Sequence, residues 1–131
     1  MKILLIDDDP IVILLQRKLM EKAGYIGEIQ AFGEGEKALS YLKQNSKGDQ
    51  RYLIFLDINM PGMSGWEFLD QLIASNIESS FSVVIITSSI EQAEQLKSEE
   101  YEQIIDFWIK PFSVESFQKL KQKSQLEGFY S

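Results

Sequence analysis

The sequence predicts an α/β fold in which a five-stranded parallel sheet is covered by helices on both faces. Short apolar runs at 2–6, 25–32, 53–56, 81–86 and 103–109 alternate with segments of helical periodicity, the pattern of βαβ units joined by right-handed crossovers. Leu53, Ile54, Phe55 and Leu56 form an unbroken apolar run, as suits a strand buried on both faces. The strand runs also end in residues that carry chemistry: Asp7 and Asp8, Asp57, Thr87 and Lys110. In an open parallel sheet those ends share one crevice.

The 131 residues suit a single domain over 1–131 with no second, output domain. With no cysteine and no histidine, carboxylates are left as the protein's bases or nucleophiles, and any metal is a hard, oxygen-bound ion. The absence of cysteine agrees with a cytoplasmic location. A net charge of −7 and a pI near 4.6 argue against direct nucleic-acid binding. No apolar run approaches membrane-spanning length, so no membrane insertion is expected.

The first strand runs straight into Asp7, Asp8 and Asp9. Asp9 suits an N-cap with Pro10 at the first helical position, and Ile11, Val12, Leu15 and Leu19 form the inward stripe of a helix that Gly24 ends. Tyr25 to Phe32, with sparse apolar residues, reads as an edge strand. Gly33 and Gly35 lead into a helix packed through Ala38, Leu39 and Leu42, followed by a polar loop at 44–51. After the central strand, Ser64 and Glu67 form a capping box for a helix carrying Trp66, Leu69, Leu72 and Ile73.

Beyond the strand from Phe81 to Ile86, Ser88 with Glu91, or Ser89 with Gln92, offers a second capping box. Ile90, Ala93 and Leu96 give that helix a narrow stripe and a weak hold, and Glu91, Glu94, Glu99, Glu100 and Glu102 make a solvated face. The last strand, Gln103 to Ile109, sets Ile105, Phe107 and Ile109 on one face and Ile104, Asp106 and Trp108 on the other. Ser113 caps a final helix packed through Val114, Phe117 and Leu120, with Lys119, Lys121 and Lys123 in its later turns. It ends near residue 126, and 128–131 form a tail. Trp66 and Trp108 are packing residues.

Asp57 has two readings at this point, a turn cap or the floor of the crevice. Its companions favour the crevice. Neighbouring carboxylates raise one another's pKa and hold a hard cation well. A cation, a lysine ammonium and a threonine hydroxyl around a free carboxylate suit phosphoryl transfer to Asp57.

The strings LLIDDDP, IFLDINMPGMSG, IITSS and IKPF resemble, in order and spacing, the receiver domain of two-component response regulators. That resemblance implies a flavodoxin-like, doubly wound sheet of strand order 2-1-3-4-5 with five helices. It implies Asp57 as phosphoacceptor. It further implies a Mg2+ site, able to take Mn2+, made by Asp7, Asp8, Asp57 and the backbone carbonyl of Asn59. Thr87 and Lys110 would contact the phosphoryl group, Thr87 and Phe107 would form the switch pair, and the Lys110 to Pro111 bond would be cis.

The implied function is that of a stand-alone bacterial receiver, a signalling phosphoacceptor rather than an enzyme. Its partners would be a histidine kinase or histidine phosphotransfer protein and an unidentified downstream protein, reached by a surface change around residues 88–117. A phosphorelay intermediate and a docking-only receiver are the alternatives within the family. Outside it, a haloacid-dehalogenase-type phosphatase expects an acid where Asn59 stands, and a flavodoxin-type electron carrier expects an anion loop where the three aspartates stand.

Overall fold

The computed structural model describes residues 1–89 and 91–130. Strands β1 (Lys2–Ile6), β2 (Glu28–Phe32), β3 (Arg51–Asp57), β4 (Ser80–Thr87) and β5 (Ile104–Ile109) alternate with helices α1 (Pro10–Lys22), α2 (Gly35–Asn45), α3 (Gly65–Ala74), α4 (Gln92–Ser98) and α5 (Val114–Leu120). Every strand pairing is parallel, and the order is β2-β1-β3-β4-β5. This is the flavodoxin-like arrangement expected. Among the described residues, no helix is long and apolar enough to cross a membrane.

Successive strand residues feed opposite layers, as the two-residue period requires. Leu4, Ile6, Ile54, Leu56, Val83 and Ile85 pack under α2 and α3, while Ile3, Leu5, Leu53, Phe55, Val84 and Ile86 pack under α1 and α5. The Asp9 carboxylate accepts the Ile11 N–H at 2.9 Å. Ser64 and Glu67 form the expected reciprocal capping box at 3.2 and 3.3 Å. Strand β2 is an edge strand, as its sparse apolar pattern predicts, but it begins at Glu28 rather than Tyr25.

Four local expectations are corrected. In α1 the inward side carries Val12, Ile13, Gln16, Leu19 and Met20, whereas Ile11 is 74% exposed and Leu15 43%. Five consecutive apolar residues, 11–15, run right around the helix, so spacing does not select the buried stripe. In β5, Ile104 shares a layer with Phe107, and Ile105 shares the opposite layer with Trp108. A bulge causes the change: Val83 pairs with Ile104 and Val84 with Asp106, leaving Ile105 as the extra residue.

Neither expected capping box forms at α4, which starts at Gln92 with Glu91 as its N-cap and no side-chain cap. The Thr87 hydroxyl takes the Ser89 N–H at 3.0 Å and the Ser89 hydroxyl takes the Glu91 N–H at 3.2 Å. Two successive side-chain turns therefore occupy the groups that the caps would have used. Ala93 and Leu96 are exposed, and Ile90 of the expected stripe lies outside the described residues.

The last correction concerns the C-terminus. Helix α5 stops at Leu120, a 3-10 turn follows at Ser124–Leu126, and the expected tail is part of the core. Leu126 and Phe129 are fully buried, and Tyr130 bridges to Tyr25. Arg51 donates to the carbonyls of Gln125 and Glu127 at 2.7 and 2.6 Å, and its guanidinium lies over the Phe129 ring at 5.0 Å. Ser131 is outside the described residues.

Candidate functional site

The parallel sheet delivers its polar strand ends to one place. Asp7 follows β1 and is 1% exposed. One of its oxygens, Oδ1, accepts the Asp9 N–H at 2.9 Å. The other, Oδ2, is buried without a hydrogen bond, although the Lys110 ammonium lies 3.1 Å away. Asp57 is the last residue of β3 and 4% exposed. Its Oδ1 accepts the Asn59 N–H at 3.0 Å, and its Oδ2 is 3.8 Å from Lys110 Nζ.

Burial pushes the Asp57 carboxyl up from its ordinary 3.8 to about 6, and the charges of Asp7 and Asp8 add to the rise. The Asn59 N–H and Lys110 oppose it without cancelling it. A carboxylate held this way is costly to leave ionised in isolation and is eased by additional positive charge.

The donor set fits a hard divalent cation. Asp7, Asp8 and Asp57 each bring a carboxylate oxygen within 4.8 Å of the others, and the buried Asp7 Oδ2 lacks a hydrogen bond that an ion would replace. Asp8 is exposed, so the group opens to solvent on one side.

Thr87 ends β4 with no exposed surface. Its hydroxyl oxygen accepts the Asn59 side-chain amide at 2.9 Å and the Ser89 N–H at 3.0 Å. With both acceptor positions taken, the hydroxyl proton remains available for donation. The Lys110 N–H donates to the Thr87 carbonyl at 2.7 Å, which sets the lysine beside β4, and the Lys110 to Pro111 bond is cis.

Asp7, Asp8, Asp57, Asn59, Thr87 and Lys110 thus come together as expected. Phe107 lies outside the cluster: half-buried on β5, it pairs in register with Ile85 and packs in the α2–α3 layer. Trp108 packs against Phe55, Phe112 and Phe117. Trp66 packs too, but it also bonds to Glu94 of α4, a contact that periodicity does not reveal.

Gly65 closes the string IFLDINMPGMSG, but the string by itself gives it no role. A Cβ there would stand 2.6 Å from Ile58 Cα and 2.8 Å from the Asp57 carbonyl oxygen, so only glycine lets α3 begin against the backbone of the Asp57 loop. The available signal was a glycine directly after the Ser64 cap, where it gives a helix no advantage.

A family model for the response regulator receiver domain matches residues 3–122. This chain is a response regulator receiver. A two-component response regulator from Cytophaga hutchinsonii has the same fold, with a TM-score of 0.78 and 30% identity over 91% of this chain and 92% of that one. The probable methanogenesis regulatory protein of Methanothrix harundinacea is 28% identical over 89% of this receiver and 76% of its own length. The transcriptional regulatory protein MalR of Bacillus subtilis is 33% identical over 88% of this receiver, which spans only 46% of MalR. The phosphatase and electron-carrier alternatives fall with the family match.

Proposed function

We propose that the receiver takes a phosphoryl group onto Asp57 from a phosphohistidine of a histidine kinase or phosphotransfer protein. A carboxylate oxygen of Asp57 attacks phosphorus, the P–N bond breaks, and the departing imidazole takes up a proton. The observation that carries this reading is the placement of Asp57. It is buried at a strand end, fixed by the Asn59 N–H, and faces Lys110 and two further acids.

Asp7, Asp8, Asp57 and the Asn59 carbonyl would hold Mg2+, or Mn2+ in its place, which supplies charge neutralisation for the phosphoryl oxygens. Lys110 supplies the second positive charge, and the Thr87 hydroxyl turns its free proton toward the phosphoryl group. The accompanying change, with Thr87 and Phe107 as the switch pair, reaches the surface around residues 88–117. A downstream protein reads it there, without direct contact to nucleic acid. This chemistry belongs in the cytoplasm, where phosphohistidine donors are charged.

Intact mass after incubation with acetyl phosphate tests the proposal. Wild type with Mg2+ gains a single adduct of about 80 Da, the mass expected for one acyl phosphate. Asp57→Asn and metal-free wild type gain none. An adduct retained by Asp57→Asn would sink the site assignment.

A further inference from the structure

Helix α4 has little to hold it. It is seven residues long, buries only Ser98, and exposes Leu96 by 55%. Among the described residues, its ties to the neighbouring helix converge on one side chain of α3. The Trp66 indole N–H donates to the Glu94 carboxylate at 2.7 Å, and the Lys97 ammonium lies over the same ring at 5.1 Å. Tyr101, just past the helix, stacks on Trp66 with centroids 5.6 Å apart and planes 18° apart, and its hydroxyl donates to Asp70 of α3 at 2.7 Å.

The indole is thus gripped at its edge by a carboxylate and on its face by a cation and a phenol ring, each suited to the charge distribution it meets. The other end of this connection is the Asp57 loop. Gly65 precedes Trp66, donates its N–H to the Ile58 carbonyl at 3.2 Å, and sits where even a methyl group would collide with Asp57 and Ile58. A displacement of that backbone therefore carries the start of α3 with it.

We propose that Trp66 is a positioning residue that couples the Asp57 loop to α4, holding the helix in its observed arrangement through Glu94, Lys97 and Tyr101, and that a phosphoryl group on Asp57 displaces it. This coupling rests on the function proposed above. A charge-assisted bond at 2.7 Å is steep in distance and angle, so a shift of Trp66 breaks it, and among the described residues α4 buries no apolar side chain to keep it in place. Coupling is reciprocal: loosening the clamp favours occupation of the phosphoryl site.

The test uses Glu94→Ala, Trp66→Phe and the conservative Glu94→Gln, whose amide oxygen still accepts the indole N–H. Amide exchange across 92–98 is measured without ligand, and the half-saturating concentration of beryllofluoride, a phosphoryl mimic, is measured by calorimetry with Mg2+. Glu94→Ala and Trp66→Phe should speed exchange in α4 by about 10-fold or more, the scale of one charge-assisted hydrogen bond, with exchange in β1 and β3 unchanged. They should also lower half-saturation by about 5-fold, the low end of common allosteric couplings. Glu94→Gln keeps a neutral hydrogen bond of roughly half the strength and should fall between wild type and Glu94→Ala in both readouts. Faster α4 exchange with unchanged half-saturation marks the clamp as merely structural and overturns the coupling alone. Wild type that does not bind the mimic overturns the proposed function and the coupling with it.

Discussion

Replacing Asp57 by asparagine should stabilise the metal-free protein at neutral pH, although it removes the group on which the proposed chemistry depends. The folded Asp57 carboxyl binds its proton more tightly than an ordinary one, at about 6 against 3.8. Between those values the folded state holds more protons than the unfolded state. Stability therefore falls as pH rises through the window, and the penalty is complete above the folded value. At 1.36 kcal/mol per pH unit the rise corresponds to about 3 kcal/mol.

The amide side chain of the Asp57→Asn variant keeps an acceptor for the Asn59 N–H and carries no charge, so it escapes most of this cost. The expected gain is about 2–3 kcal/mol at pH 7, or roughly 6–12 °C in Tm for a domain of this size. Urea unfolding of both proteins in a chelator, from pH 4 to pH 8, provides the assay. The stability gap should be small near pH 4, open as pH approaches 6, and stay flat above 7. Mg2+ should narrow it by binding folded wild type. A gap independent of pH, or a less stable Asp57→Asn, would refute the electrostatic account of the site.

Three further outcomes follow from the same structure. Asp8→Ala, at an exposed position whose charge adds least to the Asp57 rise, should stabilise the metal-free chain by under about 1 kcal/mol; a clear loss in chelator would contradict repulsion at the strand end. Gly65→Ala should cost about 2 kcal/mol or more through overpacking against Asp57 and Ile58 and should slow labelling by acetyl phosphate, with an unchanged urea midpoint and labelling rate counting against the close approach. Phe129→Ala should cost about 3–5 kcal/mol, as for other buried aromatics. A loss below about 1 kcal/mol, far under that range, would show the C-terminal segment to be dispensable.

The architecture and the membership of the site were legible in the sequence because both depend on short-range patterns. Leu53 to Leu56, short and bounded by a polar loop and a Pro-Gly turn, reads as a strand covered on both faces. The carboxyl ends of strands in an open parallel sheet share one crevice, which groups Asp7, Asp8, Asp57, Thr87 and Lys110. Capping at Asp9 and Ser64 was equally local, since each side chain bonds within its own turn.

Tertiary structure decided what the local pattern left degenerate. The run at 11–15 offers apolar residues in every direction, and only the seating of α1 on the sheet selects Met20 and leaves Ile11 in solvent. The extra residue at Ile105 reverses the facing of Ile104, because a bulge is fixed by how two strands meet rather than by either strand's alternation. Phe129 is core because the returning chain joins the apolar layer under α1 and α5, where Arg51, distant in the chain, covers its ring and bonds the carbonyls before it. The elevated Asp57 pKa likewise has no counterpart in composition, since it arises from burial and from the distances to Asp7, Asp8 and Lys110, which exist only once the strand ends are assembled.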